Sequence, residues 1–140
     1  MPSAGQVKTF HYAGIESHTG WNLHLLLHRY ELTRTHEANG VSVEIVPLNL
    51  YDAVAETVEF EIIFTTHSVD LNYDFAALAT LRSDAGVEVA ALKWDGPMGG
   101  HHVYGVLSFP ALQARGQTIT LTLRDIAAAP ERSFVWPAKQ

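Results

Sequence analysis

From Val41 onward, hydrophobic and polar residues alternate along the chain with a period of two. Val41, Val43 and Ile45 interleave with Ser42 and Glu44 until Pro47 ends the run, and Val58, Phe60, Ile62 and Phe64 interleave with Glu59 and Glu61. Ile119, Leu121 and Leu123 alternate with Thr118, Thr120, Thr122 and Arg124, and Val103, Gly105, Leu107 and Phe109 form a further inward set that stops at Pro110. Side chains on a strand point alternately to opposite faces, so each run predicts a strand with one buried and one wet face. Val87 to Trp94 and Ser133 to Trp136 read as shorter strands.

Turn chemistry separates these runs at Asn39-Gly40, Asp84-Ala85-Gly86, Asp95-Gly96-Pro97 and Arg115-Gly116-Gln117. Short strands at roughly ten-residue spacing, with turns between them, predict an all-β fold: an antiparallel two-sheet sandwich of the immunoglobulin-like kind. Two segments fit less directly. Phe75-Ala76-Ala77-Leu78-Ala79 reads either as a helical turn or as a strand of small residues. Trp21 to Thr35 is leucine-rich, which favours helix, but Gly20, Tyr30 and the Thr33/Thr35 pair favour extension, and a strand is the expectation. The chain is expected to be one domain over residues 1–140, with a core sandwich over 41–137 and an N-terminal extension or hairpin over 1–40.

Composition narrows the function classes. The 140 residues carry 47% hydrophobic and 17% charged side chains, the balance of a compact globular domain. Nine Lys and Arg against fifteen Asp and Glu give a net charge of −6, which lacks the basic stripe that nucleic-acid binding needs. The absence of cysteine removes disulfides, thiolate zinc sites, iron–sulfur clusters and cysteine nucleophiles together. No apolar run approaches membrane-spanning length, so no membrane insertion is expected. The location expected is cytoplasmic as written, or periplasmic or secreted if a leader has been removed. Phosphate-cradling loops, nucleophile elbows and dinucleotide fingerprints are missing, and whether the protein is an enzyme stays open. Glu59 and Glu61 lie on an exposed alternating face and read as solvated. Trp94, Trp136, Phe134, Phe109 and Tyr104 read as core or edge residues rather than as a sugar-binding row.

Eight histidines stand out against five tyrosines. Pro97-Met98-Gly99-Gly100-His101-His102 precedes the strand beginning at Val103, and its two glycines free the backbone to aim the following imidazoles unusually. Thr65-Thr66-His67-Ser68-Val69-Asp70 ends the strand from Thr57, placing His67 at a rim with Asp70 near enough to ligate or to orient an imidazole. Each segment also has a plain reading. The glycine turn is stabilised by its histidines, and Asp70 caps backbone N–H groups in a turn. Loops of a sandwich cluster at its two ends, so His67, His101, His102 and Asp70 are the candidate metal site, suited to a divalent transition metal such as Zn²⁺ or Cu²⁺. His24 and His28 would pair on a helix but not on a strand. With His11, His18 and His36 they are taken as surface residues.

From Val41 to Trp136 the chain resembles a group of small bacterial and archaeal β-sandwich proteins of unassigned function. The likeness rests on Thr66-His67-Ser68-Val69-Asp70-Leu71, on Trp94 followed by Gly99-Gly100-His101-His102 and Gly105-Val106-Leu107, and on Arg132-Ser133-Phe134-Val135-Trp136. It implies a sandwich fold and no particular activity. A looser resemblance is to periplasmic copper-handling sandwiches, whose methionine-rich sites are unmatched because Met1 and Met98 are the only methionines. The leading functional expectation is therefore a metal-binding sandwich using His67, His101 and His102 with Asp70. The rival is a structural or interaction module that self-assembles as a homo-oligomer and binds no metal. A carbohydrate-binding module would require an exposed aromatic row.

Overall fold

The computed structural model describes residues 31–140, and Thr33–Gln140 forms one compact unit. The expectations for His11, His18, His24, His28 and an N-terminal hairpin lie outside the described residues. Nine strands build the unit: β1 (Arg34–Ala38), β2 (Val41–Pro47), β3 (Thr57–Thr66), β4 (Ala79–Ser83), β5 (Glu88–Ala90), β6 (Lys93–Asp95), β7 (His102–Pro110), β8 (Thr118–Ile126) and β9 (Ala129–Pro137). They form a five-stranded sheet in the order β1-β2-β3-β7-β6 and a four-stranded sheet in the order β5-β4-β8-β9, with all pairings antiparallel. The protein is all-β, with two antiparallel sheets in a sandwich.

The period-two pattern sets which face is buried. Val58, Phe60, Ile62 and Phe64 on β3 stand beside Phe109, Leu107, Gly105 and Val103 on β7, and their side chains are withdrawn from solvent. Ile119, Leu121 and Leu123 on β8 face inward with Phe134 and Trp136 of β9. The sheets meet through aromatic contacts: the Phe60 and Trp136 ring centroids are 5.2 Å apart, and Phe109 meets Phe60 edge-on at 5.8 Å. Towards one end, Phe75 stacks on Phe64 at 4.3 Å, and the Trp94 ring lies 5.0 Å from Phe75. Trp94 also lies over the bare backbone of Gly105, where a Cβ would come within 2.5 Å of Trp94 Cζ2.

Three departures from the sequence reading have physical causes. The expected strand from Val87 to Trp94 is two strands in different sheets: β5 pairs with β4 and β6 with β7, and the chain crosses at Ala91-Leu92. The Phe75–Ala79 segment divides between its two readings: Phe75–Leu78 forms a turn, with Ala77 N–H donating to Asp74 O and Leu78 N–H to Phe75 O, and Ala79 opens β4. Glu31 and Leu32 are helical and β1 begins only at Arg34, so no single strand runs to Thr35. β1 pairs with β2 along its whole length, so the sheet starts before residue 41.

Two hairpins close with two-residue connections at positive φ. Asn39-Gly40 (φ 53° and 79°) is the expected type I′ signature. Ala127-Ala128 (φ 53° and 61°), with Asp125 at 57°, is not: alanine resists the left-handed region at a cost of about 1–2 kcal/mol per residue.

Candidate functional site

The segments carrying His67 and His101/His102 meet at one end of the sandwich. Thr66 N–H donates to His101 O (2.9 Å), Leu71 N–H to Gly100 O (3.0 Å) and Gly99 N–H to Leu71 O (2.8 Å). Asp70 Oδ1 accepts from Gly100 N–H at 2.9 Å. Thr66 Oγ1 accepts from both Ser68 and Val69 N–H at 3.2 Å, which turns the chain just after β3. Gly99 and Gly100 sit at φ 100° and 89°, conformations that L side chains rarely adopt, and this shape aims the loop's main chain at Leu71 and Asp70.

The histidines themselves are exposed. His102 lies opposite Thr65 in regular register, so it stands on the outer face of the five-stranded sheet. His101 precedes the strand and is exposed as well. The positive-φ Gly99 and Gly100 lie just before both residues. Asp70 holds a backbone amide. Among the described residues, no group of three or more His, Asp or Glu side chains is placed to hold a metal ion. Met98 is 57% exposed beside this rim.

The same end gathers two further connections. A Cβ on Gly40 would lie 3.3 Å from Ser68 Oγ, so the β1–β2 turn abuts the His67 loop. Asn39 Nδ2 donates to Ala127 O (3.0 Å), and Ala127 N–H donates to Tyr73 Oη (3.0 Å), which ties in the β8–β9 turn.

Beneath these turns lies a residue that sequence reasoning passed over. Arg132 is 0% exposed. Its Nη1 donates to Val41 O (3.2 Å) and contacts His36 Nδ1 (3.3 Å), and its Nη2 donates to Ala38 O (3.1 Å) and Ile126 O (3.0 Å). Nε has no partner. A guanidinium carries only donors, so His36 Nδ1 accepts and the proton sits on Nε2. Burial pushes the Arg132 pKa below its ordinary value, opposed by Tyr73. His36, read from sequence as a surface residue, is half-buried and meets the Phe134 ring edge-on at 6.2 Å. The signal for Arg132 was present: it shares parity with Phe134 and Trp136, which alternation sends inward.

Three of the four sheet edges, β5, β6 and β9, are short or partly covered. Arg34 Nε donates to Val135 O (2.9 Å) and Tyr51 Oη to Pro137 O (2.7 Å), which covers carbonyls of β9. β5 and β6 are three residues each. Of the five aromatics weighed for sugar binding, Trp136, Phe134 and Phe109 are buried, Trp94 is half-buried and Tyr104 is exposed, so they form no row. Among the described residues, no helix is long and apolar enough to cross a membrane.

No family model and no curated protein matches this sequence. Among solved structures, the chain is similar to a crystal structure of a DUF4426 family protein from Pseudomonas aeruginosa. The TM-score is 0.47 at 12% sequence identity, and the match covers 74% of this chain and 93% of that one.

Proposed function

We propose that the protein is a protein-interaction module whose contact surface is the histidine-bearing rim, with self-assembly as its form. One observation carries the reading: four hydrogen bonds between the Thr66–Leu71 and Gly99–His101 segments fix the rim's backbone while His67, Met98, His101 and His102 stay exposed. A pre-ordered backbone with free side chains loses little conformational freedom on binding, which favours recognition. The Arg34 and Tyr51 contacts on β9 and the brevity of β5 and β6 speak against strand addition at those three edges, since it needs a long, unpaired edge.

Sedimentation velocity over a wide concentration range, on the wild type and a His67→Ala/Met98→Ala/His101→Ala variant, tests this reading. It expects concentration-dependent association that the variant weakens. A strict monomer in both chains overturns it.

A second reading, capture of Zn²⁺ or Cu²⁺, is favoured by the hydrogen-bonded adjacency of the two histidine segments. Bond lengths of about 2 Å would require rings on both segments to turn towards a common ion. Titrating Zn²⁺ against the wild type and a His101→Ala/His102→Ala variant separates the readings: metal capture expects tight binding that the variant abolishes, and equal weak uptake by both chains removes it.

A further inference from the structure

The strained β8–β9 turn is held by three side chains, two from other parts of the fold and one from β9 itself. Asn39 Nδ2 donates to Ala127 O, Tyr73 Oη accepts from Ala127 N–H, and Arg132 Nη2 donates to Ile126 O. Left-handed alanines persist only where their surroundings over-determine them. Of the three holders, Asn39 is the chemically vulnerable one, because it is exposed and Gly40 follows it.

We propose that Asn39 is a spontaneous deamidation site whose conversion releases the Ala127-Ala128 turn. The Gly40 backbone nitrogen attacks Asn39 Cγ. A new N–C bond forms as the Cγ–Nδ2 bond breaks, and ammonia leaves with the proton from Gly40 N, giving a succinimide. Water then opens the ring at Cγ to give aspartate, or at the Asn39 main-chain carbonyl to give isoaspartate. Glycine at the attacking position has no side chain to shield the nitrogen. No oxidant or reductant is required. Either product removes the Nδ2 donor, and in aspartate a carboxylate takes its place against Ala127 O, so acceptor faces acceptor. Isoaspartate also adds a main-chain carbon to a connection whose two residues both stand at positive φ. With that restraint gone, Ala127 and Ala128 can leave the left-handed region, and the turn gains a second conformation next to the rim.

Two other asparagines serve as internal controls. Asn49 is tied through Nδ2 to Thr57 O and through Oδ1 to Glu59 N–H, and Leu50 follows it; Asn72 is followed by Tyr73.

The full chain is incubated in mildly alkaline buffer at physiological temperature and followed by peptide mass mapping, beside a free peptide spanning Glu37–Ser42. Conversion is expected at Asn39 on the order of tenfold faster than at Asn49 or Asn72. The converted chain, and an Asn39→Asp variant made directly, are expected to show faster hydrogen exchange of the Ala127 amide. Adding Ala127→Gly and Ala128→Gly to Asn39→Asp is expected to restore its protection. Asn39 remaining an amide while the peptide converts would overturn the proposal. So would conversion, or the Asn39→Asp variant, leaving Ala127 exchange unchanged.

Discussion

Arg132 Nη1 stands 3.3 Å from His36 Nδ1, joining two residues 96 positions apart in the chain. The contact ties β9 of one sheet to β1 of the other. No carboxylate is among the guanidinium's hydrogen-bond partners: three backbone carbonyls and one imidazole take its donors. Truncating Arg132 therefore strands the carbonyls of Ala38, Val41 and Ile126 and leaves a void. Arg132→Ala is expected to cost about 3–5 kcal/mol in chemical denaturation. Arg132→Lys is expected to rescue little, since one ammonium cannot span four acceptors fixed for a planar fork. Wild-type stability in the lysine variant would contradict this.

His36→Phe keeps an aromatic ring beside Phe134 but removes the acceptor that Arg132 uses. The expected loss is about 1 kcal/mol. Nitrogen NMR of the wild-type imidazole is expected to show the proton on Nε2. A proton on Nδ1 would exclude the contact as described.

The strands were legible because hydrophobic and polar residues alternate along β2, β3, β7 and β8, so parity alone separates Phe60 from Glu59; β8 departs from a wet face by burying Thr120 and Thr122 as well. Asn39-Gly40 was legible for a different reason: both residues tolerate positive φ. The Ala127-Ala128 turn was not, because alanine carries no turn preference and two of its restraints, Asn39 and Tyr73, are distant in the chain. The β5–β6 break was hidden by its three-residue strands and the apolar link Ala91-Leu92. At the rim, sequence placed His67 and His101/His102 on neighbouring loops. Which groups those loops use to hold one another depends on register and backbone shape: Asp70 takes the Gly100 amide, and main-chain bonds join Thr66 to His101 and Leu71 to Gly100.

At the opposite end, Asp84 Oδ1 accepts from Gln117 N–H (2.7 Å) and Thr118 N–H (3.3 Å) across the bare Cα of Gly116. A Cβ on Gly116 would fall 2.0 Å from that oxygen, at a φ of +64°. Gly116→Ala is expected to lower stability by more than about 1 kcal/mol, read as a reduced denaturation midpoint at unchanged slope. An unaffected midpoint would show that the loop shifts freely.

Tyr51 gives a pH signature. Burial raises its phenol pKa above 10.0, partly opposed by Arg34 and Arg115, and the protonated hydroxyl donates to Pro137 O. A folded value above the unfolded one means the stabilisation is fully present below pH 10 and fades as pH climbs through the folded value. Stability measured on the alkaline side should fall more steeply in the wild type than in Tyr51→Phe. Parallel profiles would refute the assignment.

The rim's backbone is fixed by its own hydrogen bonds while its imidazoles stay exposed. Native-state hydrogen exchange of the Thr66, Leu71, Gly99 and Gly100 amides tests this directly. Strong protection at all four, lost at Gly100 in Asp70→Ala, is the expected result. Exchange of these amides at the rate of an unstructured loop would contradict it.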